Sequence, residues 1–306
     1  MLGIEVISTY IPSSKKSNYD LKKKFEIDDN FIENKIGVKQ YALKDKGFKS
    51  SDMCVKAFEN LQKTSAINTK EIECCVVVTQ NPDFNLPHTS AIVHGKLDLP
   101  ENCAAFDISL GCSGFVYGLS NIVSFMQSNG MKKGLLFTSD QYSDIVDKED
   151  KNTALLFGDA STVTVIGDDA SLVPKDFSFG TNGKDYAELI CNDTLHMNGR
   201  AVFSFTATTI PKHIRKLLDR NNLTDNEIEK YYLHQGSKYI VDTIRKRLKV
   251  NEVKVPFDMA EYGNTISSSI PIMLAKEMQD LPKGNIVLSA FGVGLSWASA
   301  IIQKIK

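Results

Sequence analysis

Asp107-Ile-Ser-Leu-Gly-Cys112-Ser-Gly-Phe-Val-Tyr-Gly118 is the stretch on which the reading of this chain turns. The run before it, Cys103-Ala-Ala-Phe-Asp-Ile108, has the composition of a buried strand. After it, Phe115, Val116, Leu119, Ile122, Val123 and Met126 recur at helical spacing and predict a helix over 112–128. A thiol therefore stands at a sharp strand-to-helix turn, flanked by Gly111 and Gly114. At a helix N-terminus the free N–H groups and the macrodipole favour negative charge. The position predicts a lowered thiol pKa and an exposed nucleophile.

Working outward, the 306 residues are 42% hydrophobic and 24% charged, which gives length for a large core or two fused halves. The formal net charge is −1, so no global field points to nucleic acid or to an anionic membrane. No apolar stretch approaches a bilayer span and the start shows no signal-peptide pattern, so a cytoplasmic protein is expected. The six cysteines (54, 74, 75, 103, 112, 191) contain no C-x-x-C pair, and all but Cys112 read as small buried hydrophobes. The five histidines (88, 94, 196, 213, 234) show no ligand spacing, so no metal is expected.

Strand-like runs alternate with helical periods, the pattern of an α/β protein. Strands are predicted over 73–79, 134–139, 160–166, 230–234, 285–290 and 297–303. Helices are predicted over 51–66, 88–97, 112–128, 208–220, 236–249 and 268–279. Gly134-Leu-Leu-Phe-Thr-Ser-Asp-Gln141 echoes Asn285-Ile-Val-Leu-Ser-Ala-Phe-Gly292, and each is followed by a further strand. The echo points to an internal duplication with its junction near 167–172, dividing the chain into 1–168 and 169–306. The polar run 141–153 is expected to be an exposed loop at a site mouth.

Three more blocks join Cys112. Leu233-His234-Gln235-Gly236-Ser237 ends a strand at a histidine and starts a helix. Gly263-Asn264-Thr265 precedes a run of small residues, and Ser289–Trp297 is a glycine-rich turn suited to aiming a backbone N–H at a ligand. With these four blocks in this order, the chain resembles the β-ketoacyl-acyl carrier protein synthase III group of the thiolase superfamily over essentially its whole length. The resemblance implies a thiolase-like five-layered αβαβα fold of two duplicated halves, and a homodimer. It implies Cys112 as the nucleophile that takes the acyl group. It implies His234 and Asn264 as donors to the thioester carbonyl of a malonyl-type extender, and the N–H groups of Cys112 and Val293 as an oxyanion hole. Its substrates would be thioesters of coenzyme A and acyl carrier protein, with no further cofactor. The implied reaction is a decarboxylative Claisen condensation of a short acyl thioester with malonyl-acyl carrier protein, giving 3-oxoacyl-acyl carrier protein. A thiolate and N–H donors suit the tetrahedral oxyanion of acyl transfer, and two uncharged donors suit the enolate left by carbon dioxide.

The chain also departs from the family pattern. A Trp-Ile-x-x-Arg-Thr-Gly-Ile block reads Phe31-Ile32-Glu33-Asn34-Lys35-Ile36-Gly37-Val38 here, and an arginine that stacks on adenine is Lys151. Phe31, Lys35 and Lys151 are thus the implied coenzyme A contacts, weakened because lysine neither forks nor stacks. The family's His-Gln-x-Asn ends in Ser237, an implied substrate contact, while Tyr262 replaces a histidine and Ser267-Ser268 replace two alanines. Leu86 stands where a bulky residue reaches across the dimer to floor the partner's acyl pocket. Lys238, Arg245, Lys246, Arg247 and Lys249 follow His234, with Lys212, Arg215 and Lys216 as a second cluster; the resemblance implies a dock for an acidic carrier protein. These departures describe a specialised paralogue. An alternative keeps acyl-Cys112 but passes the acyl group to a hydroxyl or amine without decarboxylation, in secondary metabolism or surface glycan synthesis, with His234 as general base. An idle scaffold is a third reading, and the presence of Cys112 argues against it.

Overall fold

Apolar runs without alternation form strands covered on both faces, and runs with helical spacing form the helices that cover them. The computed structural model describes residues 1–306. In the first half the strands are β1 (Gly3–Tyr10), β2 (Lys15–Ser17), β3 (Gln40–Ala42), β4 (Cys74–Val78), β5 (Ala104–Ile108), β6 (Gly134–Asp140) and β7 (Ala160–Gly167). Its helices are α1 (Lys22–Phe25), α2 (Ser50–Thr64), α3 (Thr89–Lys96), α4 (Gly114–Ser128) and α5 (Lys151–Ala154). The second half has β8 (Leu172–Thr181), β9 (Leu189–Cys191), β10 (Leu195–Met197), β11 (Ile228–Leu233), β12 (Gly284–Gly292) and β13 (Ser296–Lys304). Its helices are α6 (Gly199–Arg220), α7 (Lys238–Leu248) and α8 (Ser269–Glu277).

The pairing pattern repeats. In the first half β1 runs antiparallel to β7, β7 antiparallel to β6, and β6 parallel to β4. In the second, β8 runs antiparallel to β13, β13 antiparallel to β12, and β12 parallel to β11. β5 pairs with β4 only and forms an open edge, and the two halves join through one residue pair, Ile4 opposite Leu172.

Strand alternation then builds the layers. Val76 and Leu136 of the first sheet, and Ile286 and Leu288 of the second, face a shared interior filled by Phe115 and Leu119 of α4 and Ile270 and Leu274 of α8. The opposite faces carry Val77 and Phe137 against Phe58 and Leu61 of α2, and Val287 against Ile214 of α6 and Ile244 of α7. Helix, sheet, helix, sheet, helix is a five-layered αβαβα sandwich, with α4 in its middle layer, buried along Phe115, Leu119, Ile122 and Met126 and exposed at Asn121, Ser124 and Gln127. Truncating Leu119 to alanine there removes packing worth about 2–5 kcal/mol.

Several expectations are corrected. α6 begins at Gly199, nine residues ahead of its predicted start, and β1 and β8 were not among the predicted strands. The run 141–153 is not all exposed: Gln141, Tyr142 and Thr153 are buried. Cys191 is exposed rather than a buried hydrophobe.

Candidate active site

Cys112 occupies the turn between β5 and α4, whose helix starts at Gly114 after Ser113. The Ser113 hydroxyl lies 2.7 Å from that of Ser296, and Ser296 Oγ donates to the Val293 carbonyl at 2.9 Å. The nucleophile turn of one half is thereby tied to the glycine-rich turn of the other. Gly292 permits the approach, because a Cβ there would stand 2.6 Å from Cys112 Cβ and 2.7 Å from Sγ. The backbone N–H groups of Val293 and of Cys112 itself favour a thiolate, but burial first, and the charge of Asp140 second, push the thiol up to about 12. The expectation of an exposed thiol with a lowered pKa is therefore corrected. Cys112 is only 6% exposed, and lost hydration outweighs the helix end.

His234 follows β11, its N–H bonded to Ser289 O at 2.9 Å. Ring Nδ1 lies 2.8 Å from the Ser269 hydroxyl, and the ring stands edge-on to Phe291 with centroids 5.6 Å apart. Burial pushes the imidazole down to about 3, with the Ile266 backbone opposing, so the ring is neutral at neutral pH. Asn264 is clamped by its backbone, N–H to Leu156 O at 2.8 Å and O from Gly158 N–H at 3.0 Å. Gly158 is required there, since a Cβ would meet Tyr262 O at 1.9 Å. The Asn264 side-chain Oδ1 accepts Ile266 N–H at 3.0 Å, which leaves Nδ2 as the amide's open donor.

Cys112, His234 and Asn264 line one cavity of about 910 Å³, together with Phe31, Lys35, Lys151 and Ser237. Lys151 Nζ sits 5.0 Å and Lys35 Nζ 5.5 Å from the centre of the Phe31 ring. Ser237 caps α7, its Oγ accepting Ile240 N–H at 3.3 Å. The sequence reading missed Tyr142, Arg200, Phe203 and Tyr239, all of which line this cavity. Phe203 and Tyr239 stack with centroids 5.0 Å apart. The usable signal was Asn198, whose side chain caps the first turn of α6 by accepting Ala201 N–H at 3.2 Å.

Other predicted residues lie elsewhere. Tyr262 does not reach the cavity; its hydroxyl donates to Asp258 O, with Lys276 Nζ 4.8 Å from its ring centre. Leu86 is 87% exposed and does not line this chain's cavity. Arg245 is not available as a docking cation, because it is largely covered and pairs with Asp242 at 3.6 Å and Glu252 at 3.7 Å. Lys238 reaches back to Glu33 O and Asn34 Oδ1, both at 3.4 Å, and Arg215 pairs with Asp225 at 2.5 Å. Lys246, Arg247 and Lys249 are exposed and make no ion pair. No helix is long and apolar enough to cross a membrane.

Comparison with known proteins adds to this geometry. The family model "3-Oxoacyl-[acyl-carrier-protein (ACP)] synthase III" matches residues 106–183, and that of the synthase III C-terminal part matches 218–304. The β-ketoacyl-[acyl-carrier-protein] synthase III of Lactococcus lactis subsp. lactis is 32% identical over 98% of each chain. That of Caldanaerobacter subterraneus subsp. tengcongensis is 32% identical over 99% of this chain and 98% of its own. Among solved structures, a 3-oxoacyl-(acyl-carrier-protein) synthase III superposes with a TM-score of 0.94 at 26% identity over 99% of both chains. The synthase III of Pseudomonas aeruginosa PAO1 superposes at 0.91 and 27% identity, covering 100% of this chain and 98% of that one.

Proposed function

The chain belongs to the 3-oxoacyl-[acyl-carrier-protein] synthase III family, and on that premise we propose that it condenses a short acyl thioester, loaded on Cys112, with malonyl-acyl carrier protein. Carbon dioxide leaves and 3-oxoacyl-acyl carrier protein forms. The observation that carries this reading is the meeting of Cys112, from the first half, with His234 and Asn264, from the second, around one cavity. The Cys112 sulfur attacks the donor carbonyl, whose oxygen takes the N–H groups of Cys112 and Val293. The donor's thiol departs carrying the proton. A malonyl thioester then enters with its carbonyl oxygen toward Asn264 Nδ2 and His234. With the Ser269 O–H, 2.8 Å away, directed at Nδ1, the ring proton lies on Nε2 and faces the extender. Loss of carbon dioxide leaves an enolate held by these two neutral donors, and the enolate carbon attacks the acyl-Cys112 carbonyl. The Cys112 thiolate is expelled and takes up a proton. Each donor is worth about 3–4 kcal/mol of barrier.

Tyr142, whose ring centre lies 5.1 Å from that of Phe157 in the cavity lining, supports a short acyl group. The acidic carrier would dock on Lys246, Arg247 and Lys249, since the first turn of the same helix lines the cavity and Lys246 lies about 12 Å further along its axis. The homodimer would form at the open edge strand β5, where Phe106 packs on Phe125 at 5.3 Å, Tyr117 on Phe179 at 4.8 Å, and Phe179 is 44% exposed.

Intact mass spectrometry with acyl-coenzyme A and acyl-carrier protein donors should show acyl mass on the wild type and none on Cys112→Ala. His234→Ala and Asn264→Ala should keep that mass gain while losing about 10²–10³-fold in labelled carbon dioxide release. An ester or amide product formed without carbon dioxide would overturn the condensation.

A further inference from the structure

Asp140 ends β6, is fully buried, and carries a carboxyl group that the reaction above does not use. Its Oδ1 accepts Gln80 N–H at 2.9 Å. Its Oδ2 accepts the Ser267 hydroxyl and, at 3.4 Å, Ser267 N–H. Gln80 lies just past β4 in the first half, and Ser267 lies three residues past Asn264 in the second. One buried carboxylate therefore bonds both halves beside the nucleophile.

The segment it holds is a single unit. Ile266 N–H bonds Asn264 Oδ1 at 3.0 Å, Ser268 N–H bonds Thr265 O at 2.9 Å, and Ser268 Oγ lies 2.8 Å from Thr138 Oγ1 on β6. Ile266 sits at φ +52°, a left-handed conformation that a β-branched residue keeps only when its surroundings impose it. The bonds to Ser267 are the ones nearest that strained residue on its C-terminal side. Resting on the reading of Asn264 given above, we propose that Asp140 is the positioning residue for Asn264, pinning Ser267 so that the turn presents Asn264 Nδ2 to the extender thioester.

The same carboxylate acts in the opposite sense on Cys112, where its negative charge disfavours the thiolate. The two half-reactions should therefore respond to its removal with opposite signs, which a merely structural role would not produce. Asp140→Asn keeps an acceptor for Gln80 N–H but loses the charge and the strong bond to Ser267. In the resting protein its Cys112 should be alkylated by iodoacetamide several-fold faster at pH 8, while labelled carbon dioxide release from malonyl-acyl carrier protein falls about 10–100-fold, part of a full donor's worth. Ser267→Ala keeps the charge and removes the hydroxyl. It should lose carbon dioxide release to a similar degree with alkylation unchanged. Both rates falling together in both variants would overturn the proposal, as would carbon dioxide release within threefold of wild type in Ser267→Ala. If Asp140→Asn does not fold, Ser267→Ala decides alone by the same criterion. Asn264→Ala is measured in parallel. Wild-type carbon dioxide release there sinks the reading of Asn264 and this proposal with it. A block there, with normal release in Ser267→Ala, sinks the assignment of Asp140 only.

Discussion

Gly292→Ala is the smallest change that tests how the two halves make one site. The added methyl group would stand 2.6 Å from Cys112 Cβ and 2.7 Å from Sγ, nearer than nonbonded carbon and sulfur can approach. Neither side can yield cheaply. Gly292 ends β12 in register with Ser296, and Cys112 precedes a helix whose first turns, through Gly114, Phe115, Val116, Gly118 and Leu119, are buried. The two turns must part by several tenths of an ångström, and Val293, the residue after Gly292 whose N–H serves the thiol, moves with its turn. A donor hydrogen bond to a developing oxyanion weakens steeply over that displacement, and losing one such donor costs about 3–4 kcal/mol. The acylation rate of Cys112 should fall about 10²–10³-fold, followed as acyl mass gained per unit time from a short acyl-coenzyme A. Unchanged circular dichroism and a urea unfolding free energy within about 1–3 kcal/mol of wild type would show the fold retained. Acylation slowed less than threefold in a folded variant would refute the view that Val293 N–H serves the oxyanion.

Three further outcomes are expected. Lys246→Glu with Arg247→Glu should raise KM for malonyl-acyl carrier protein about tenfold or more, most at low salt, while acylation from acyl-coenzyme A is unaffected; an unchanged KM removes this helix as the dock. The thiol pushed up to about 12 is protonated at neutral pH, so alkylation of resting Cys112 should keep rising with pH beyond 9, whereas a plateau near pH 8 would contradict its burial. On the proposed interface, light scattering should find a dimer for the wild type and a monomer for Phe106→Arg at the open edge strand, and a dimer in the variant would move the interface elsewhere.

The layered architecture was legible because its core runs are unambiguous. Cys74–Val78 and Gly134–Asp140 are buried throughout, and α4 shows its helical period plainly. β8 was not legible, since Pro174 interrupts it and the ladder with β13 shifts register beside that residue. The first turns of α6 were missed because Gly199, Arg200 and Thr206 face the cavity and interrupt the apolar period. Cys112, His234 and Asn264 stood out by motif, but the protonation of Cys112 did not. The helix end is visible in the sequence, whereas its burial and the neighbouring Asp140 come from strands distant in the chain. Tyr142 was hidden for the converse reason, as an aromatic ring inside a run of polar residues that the fold turns inward.

The lone pairing of Ile4 with Leu172 leaves the two β-sheets with almost no ladder continuity, so the apolar filling between them, helped by a few bonds such as Ser113–Ser296 and Asp140–Ser267, keeps them in register. Sulfur arrives from one side of that seam and both amide and imidazole from the other. On warming, a small parting of the layers would misalign the chemistry while each half still kept its secondary structure. Turnover should accordingly fade several degrees below the loss of circular dichroism, with the interlayer fit serving as the enzyme's thermal fuse.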